Sequence, residues 1–195
     1  MIKILYLHGF LSSPFSTKVT QLCQSVGEGF EVLAPDLNLA PLDVDRLLDS
    51  LVTTHRAAST DPLVVVGSSL GGFYAARVAT KFGLRAVLLN PCFNPWAFIG
   101  SHTGVQTIYG TDRTLEVRPS FVDDLRALAD DVSPLEVDPQ RTLAVFGTAD
   151  EVLDWQAGAK AYASCRQVIL PGEDHRISQF ESLIPRILDF VSERS

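Results

Sequence analysis

Cysteine is scarce in this chain, and the three present do not suggest pairs: Cys23, Cys92 and Cys165 are far apart, odd in number and without C-x-x-C spacing. Neither a disulfide framework nor a zinc site is indicated, and a reducing, cytoplasmic setting is expected. Long hydrophobic runs are missing too. No stretch approaches the ~20 apolar residues of a membrane-spanning helix. The opening residues 1–9 are short, β-rich and close on His8-Gly9 rather than on a small-residue cleavage site, so they read as a buried strand, not a signal peptide. Basic clusters are absent. With 16 Lys and Arg against 23 Asp and Glu, a formal net charge of -7, the chain has no nucleic-acid footprint. It also lacks internal repeats and low-complexity segments.

What is present fits one domain over residues 1–195, since 195 residues that are 46% hydrophobic build a real core and leave little room for a second. Apolar runs at 2–7, 30–34, 64–66, 85–89, 142–147 and 167–170 read as strands buried on both faces. Helical patterns alternate with them. The first is expected to start at Ser12-Ser13-Pro14 and to carry Val19, Leu22, Cys23 and Val26; the second carries Val44, Leu47, Leu48, Leu51 and Val52. A third follows the 64–66 strand and ends near Phe82-Gly83, a fourth covers Trp155 to Ala163, and Ile177, Phe180, Ile184, Ile187, Leu188 and Val191 mark a closing helix. Strands alternating with helices predict about six mainly parallel strands in a doubly wound sheet, with helices on both faces. Ligands of such sheets bind at the carboxyl ends of the strands.

Residues 91–133 break this rhythm. An Asn-Pro dipeptide opens them (Asn90-Pro91) and a second follows (Asn94-Pro95), with Trp96, Phe93 and Phe98, several glycines, and one good helix from Ser120 to Ala129 behind Pro119. After a strand ending near residue 89, this is where a lid or substrate-contacting insertion belongs, and an ordinary long connection with one helix fits equally.

The chain is organised around Val64 to Ala76. A β-branched run stops at Gly67, the frame Gly67-Ser68-Ser69-Leu70-Gly71 follows, and a helical pattern begins at once. That is a G-x-S-x-G nucleophile elbow, in which the glycines relieve crowding at a tight turn and single out Ser69 over Ser68. A serine requires a base within hydrogen-bond reach and a third group to orient that base. Ser69, Asp150 and His175 each follow a predicted strand, in the chain order expected of an α/β-hydrolase fold. Ser69 then attacks a carbonyl, His175 takes and returns the proton, and Asp150 fixes the imidazole. Two backbone donors must face the developing oxyanion. The N–H groups of Leu70, after the nucleophile, and Phe10, after the first strand, are the candidates, with His8 and Gly9 shaping that loop.

Other acids compete with Asp150. Glu151 is the least excluded; Asp154 is expected to cap the following helix, Asp174 adjoins the histidine and is poorly placed to turn back onto its ring, and Asp36 follows an earlier strand. His55 and His102 have no assigned role, and Trp96 and Trp155 need only pack. No metal ligand set is indicated. A non-catalytic ligand- or partner-binding protein of the same fold is the alternative, which a missing triad member would have favoured.

Several motifs together resemble one family. Leu7-His8-Gly9-Phe10 with Ser12-Ser13-Pro14, the elbow, Leu89-Asn90-Pro91, Asp150-Glu151-Val152-Leu153-Asp154, and Tyr162 to Gln167 are similar to the YqiA-like esterases of the α/β-hydrolase superfamily. The resemblance covers nearly the whole chain. It implies hydrolysis of carboxylic esters, or of acyl thioesters such as acyl-CoA, without metal or organic cofactor, and it favours Asp150 over Glu151. The chain departs from the family pattern at Gly172-Glu173-Asp174-His175-Arg176-Ile177 and over 100–120.

Overall fold

The computed structural model describes residues 1–193; the last two positions of the expected 1–195 domain lie outside the described residues. Six strands form one parallel sheet in the order β2-β1-β3-β4-β7-β8. They are β1 (Ile2–Leu7), β2 (Phe30–Leu33), β3 (Leu63–Ser68), β4 (Arg85–Leu89), β7 (Thr142–Gly147) and β8 (Arg166–Leu170). The register aligns Leu7 with Gly67, Ser68 with Leu89, and Gly147 with Leu170. All of these lie at carboxyl ends, so the loops that follow meet along one rim.

Strand side chains alternate between two cores because the period is two. Leu5, Leu7, Val65, Ala86, Leu88, Ala144 and Phe146 face one side. There α2 (Pro41–Ala58), α3 (Leu70–Phe82), α5 (Ser120–Asp131) and α6 (Trp155–Ala161) cover them. Ile4, Tyr6, Val64, Val66, Val87, Leu89 and Val145 face the other, under α1 (Thr17–Ser25) and α7 (Phe180–Ser192). Each fully buried aliphatic side chain, such as Leu48 or Ile187, contributes about 1.5–3 kcal/mol. Helices on both faces of a parallel sheet match the architecture expected from the sequence. Gly83 closes α3 in the left-handed conformation (φ 62°), its N–H bonded to the Ala79 carbonyl.

Three local expectations need correction. The first helix begins at Thr17, not at Ser12-Ser13-Pro14. Ser13 instead accepts the Phe15 N–H on its hydroxyl and the Ser16 N–H on its carbonyl, a local turn that displaces the helix start. Cys23 and Val26 are not part of its buried stripe, which is Val19 and Leu22. Ile177 lies ahead of the closing helix, buried in a turn with φ 52°.

Between β4 and β7 the chain forms more than one helix. It contains α4 (Pro95–Gly100), an antiparallel hairpin of β5 (Gly104–Thr107) and β6 (Thr114–Val117), and α5. Arg77, on the elbow helix and almost wholly buried, holds the far end of this segment. It pairs with Asp45 and Asp131, each at 2.8 Å, and donates to the Leu128 and Val132 carbonyls at the end of α5. A buried cation is tolerable only with such a complete set of partners.

Candidate active site

Ser69 joins β3 to α3 with φ 55° and ψ -120°, a conformation that costs a non-glycine residue of order 1–3 kcal/mol. Its surroundings enforce the turn. A Cβ on Gly67 would collide with the Gly71 carbonyl, and one on Gly71 with the carbonyls of Leu7 and His8. The Ser69 N–H donates to the Leu89 carbonyl at 3.0 Å, while its own carbonyl accepts from Gly72 (2.8 Å) and Cys92 (3.0 Å).

The rim loops bring His175 and Asp150 to this serine. His175 Nε2 lies 2.9 Å from Ser69 Oγ, and His175 Nδ1 lies 2.8 Å from Asp150 Oδ2. A carboxylate has no proton to give, so the imidazole carries its hydrogen on Nδ1 and offers Nε2 as an acceptor to the hydroxyl. The Asp150 side chain is 1% exposed and His175 14%. Burial pushes the Asp150 carboxyl up, but the His175 ring and the N–H groups of Leu153 and Val152 outweigh it, leaving the group below the usual carboxylate range. Both backbone donors reach Asp150 Oδ1 at 2.8 Å. The arrangement gives a proton leaving Oγ an acceptor, and gives the resulting imidazolium a counter-charge.

The competing acids are engaged elsewhere. Glu151 accepts the backbone N–H of His175 at 3.0 Å, and Asp154 caps α6 through the N–H groups of Gln156 and Ala157. Asp174 binds the N–H and hydroxyl of Ser178, and Asp36 binds Asn38 and Arg113. Cys92, near Asp150, is no rival to the serine, because burial pushes its thiol up to about 12.

The first rim loop passes directly beside the serine. A Cβ on Gly9 would sit 3.3 Å from the Ser69 Cβ. His8 is buried and uses both ring nitrogens: Nδ1 donates to the Gly9 carbonyl at 2.9 Å, and Nε2 accepts the Leu37 N–H at 3.0 Å. Neither the Phe10 nor the Leu70 N–H has a hydrogen-bond partner among the described residues. A small cavity of about 20 Å³, room for roughly one water, opens beside them, walled by Gly9, Phe10, Leu70, Ile99, Leu115 and Phe121.

The 91–133 segment supplies the outer wall. Phe10 stacks edge-on against Phe98 (5.6 Å) and His102 (5.8 Å). The turn of the hairpin is tied down at two points: the Tyr109 N–H donates to the Leu11 carbonyl at 2.9 Å, and Arg113 meets Asp36 at 2.7 Å. His102 Nδ1 donates to the Phe98 carbonyl, His55 stays with the Asp61 carbonyl at the exposed end of α2, and Trp155 packs against the first core.

One residue the sequence reading gave no role sits at the junction of these loops. Asn90, buried after β4 with φ 41°, contacts both the end of β7 and the loop bearing His175. Its only sequence signal was the Asn-Pro dipeptide at a strand end. Among the described residues no group of three His, Cys, Asp or Glu is placed to hold a metal ion, and no helix is long and apolar enough to cross a membrane.

Comparison with known proteins gives family and fold. UPF0227, an uncharacterised protein family, matches residues 3–192. A UPF0227 protein of Pectobacterium carotovorum is 26% identical over 186 residues, covering 94% of either chain. The uncharacterized protein YfhR of Salmonella typhi is 33% identical over 138 residues, 62% of this chain but only 43% of YfhR. Est1E from Butyrivibrio proteoclasticus superposes with a TM-score of 0.72 at 16% identity, covering 98% of this chain and 88% of Est1E. Mouse alpha/beta hydrolase domain-containing protein 10 follows at 0.68 and 17%, covering 97% and 89%. At these identities the likeness shows the fold, and the fold is that of the α/β-hydrolases.

Proposed function

This chain belongs to the UPF0227 family, and we propose that it is a serine hydrolase that cleaves carboxylic esters or acyl thioesters. The observation that carries this reading is the unbroken relay from Ser69 Oγ to His175 Nε2 (2.9 Å) and from His175 Nδ1 to Asp150 (2.8 Å). Ser69 Oγ adds to the acyl carbon as its proton passes to Nε2. The tetrahedral oxyanion is held by the Phe10 and Leu70 N–H groups, whose lack of protein partners supports that role. Collapse expels the alcohol or thiol, which takes the proton from His175 and leaves an acyl-serine. Water then adds with His175 as base, the serine leaves with its proton restored, and the carboxylic acid departs. Asp150 stays ionised throughout and fixes the imidazole. Gly67 and Gly71 hold the turn, and His8 and Gly9 hold the oxyanion loop.

The steps need no metal or organic cofactor. As proposed, the substrate is a small-molecule acyl ester or thioester, the chain acts as one domain in the cytoplasm, and residues 91–133 are a lid or substrate-contacting insertion within it. Est1E shares the fold, but the reading rests on the relay. A fluorophosphonate probe tests it, because only an activated serine labels quickly. Intact-mass and peptide analysis should find one adduct, on Ser69; an unlabelled protein would favour a ligand-binding role instead.

A further inference from the structure

The segment Leu89-Asn90-Pro91-Cys92 does more than link β4 to the lid. Its carbonyl at Leu89 and its N–H at Cys92 grip the backbone of Ser69, each at 3.0 Å. Between them stands Asn90, 2% exposed. Its Oδ1 accepts the Gly147 N–H at 2.8 Å, and its Nδ2 donates to the carbonyls of Asp174 (3.1 Å) and His175 (3.0 Å). Partner chemistry fixes the orientation of this amide, since an N–H faces only the oxygen and two carbonyls face only the NH₂ group. Every hydrogen of the amide is used.

We propose that Asn90 is a positioning residue for the base, setting His175 against Ser69 and Asp150 by holding the carbonyls of Asp174 and His175 with one side-chain amide. The inference rests on the hydrolase reading above. Three rim segments converge on this side chain: the one that holds the nucleophile's backbone, the β7 end that leads to Asp150, and the loop that carries His175. Their closeness is built in at Gly147, where a Cβ would lie 2.5 Å from the Glu173 carbonyl and 3.0 Å from that of Asp174. Asparagine suits the place twice over. It tolerates the left-handed φ of 41°, and at its length it carries both an acceptor and a double donor. Aspartate matches the shape but, when ionised, opposes two carbonyls with an oxygen.

Two variants separate the side chain's role from the backbone's. Asn90→Gly keeps the left-handed conformation and removes the amide; Asn90→Asp keeps the shape and removes the donors. Both should lower kcat by about tenfold to a hundredfold, the usual consequence of a misplaced catalytic group, with KM within about twofold. For Asn90→Gly, which adds no charge, the acid limb of the pH profile should move to lower pH, because a displaced imidazole loses part of its bond to Asp150 and holds its proton less well. Folded variants with wild-type kcat and acid limb overturn the inference. So does a loss that matches the unfolded fraction with the acid limb unmoved. Should neither variant fold, the wild type is informative: both Nδ2 protons of Asn90 should exchange with deuterated water as slowly as the β4 amides, and rapid exchange overturns the clamp. A wild type no more active than Ser69→Ala would instead defeat the underlying hydrolase reading.

Discussion

Glu151 holds the backbone of His175, whose N–H reaches the Glu151 carboxylate at 3.0 Å, while the neighbouring Asp150 takes the His175 ring at 2.8 Å. Two consecutive acids thus serve one histidine in different ways, and their loss should differ sharply. Asp150→Asn should lower kcat by about 10⁴-fold, because an amide at that place favours the wrong tautomer. Glu151→Gln keeps an acceptor for the N–H and should stay within about tenfold of wild type. Steady-state kinetics on an activated ester distinguish them; equal losses would mean that the ring partner is misassigned.

His8, in the loop after the first strand, makes the fold acid-sensitive. Burial lowers the His8 value below the ordinary 6.5, only partly offset by the Gly9 carbonyl and the Asp36 charge. Just below pH 6.5 the unfolded chain takes a proton that the folded protein refuses. Stability present above that pH is therefore lost progressively as pH falls toward the lowered folded value. Urea midpoints from pH 7.5 to 5 should fall more steeply for wild type than for His8→Asn; parallel curves would contradict this.

On the proposed function, the cavity beside Phe10 and Leu70 receives the acyl group. With about 20 Å³ available, acetyl and propionyl esters should be preferred over octanoyl. Leu115→Ala enlarges the wall on the hairpin side, and each methylene newly accommodated should add about 0.8 kcal/mol, roughly fourfold in kcat/KM. A chain-length series read on both proteins checks it. An unchanged optimum would place acyl binding elsewhere.

The hairpin is latched by an exposed pair. Arg113 is 62% exposed and Asp36 32%, so their contact is worth less than about 1 kcal/mol to global stability. Arg113→Ala should move Tm by no more than about 4 °C, yet hydrogen exchange over 104–117 should speed up. Exchange unchanged there would show that the Tyr109–Leu11 bond and packing hold the segment alone.

Much of this was legible from residue order. The alternation of β-branched runs with helical patterns defined the sheet, and the glycine frame picked Ser69 because crowding at that turn is a local matter. The first helix was misplaced because Ser13 competes for backbone groups just where proline suggested a start. The α4 helix and the β5–β6 hairpin went unread because they are short and are stabilised by contacts such as Phe10–Phe98 and Arg113–Asp36, which join residues far apart in sequence. Asn90 was seen only as a turn signal for the same reason: its partners lie 57 to 85 residues away. Asp174 could be set aside from adjacency alone, whereas Glu151 required the three-dimensional position of the His175 N–H.

The most direct measurement is the initial rate of p-nitrophenyl ester and acyl-CoA hydrolysis by wild type and Ser69→Ala side by side. The account predicts turnover by the wild type and a loss of about 10⁶-fold in the variant, the effect expected when a serine nucleophile is removed. Hydrolysis by Ser69→Ala at the wild-type rate would contradict it.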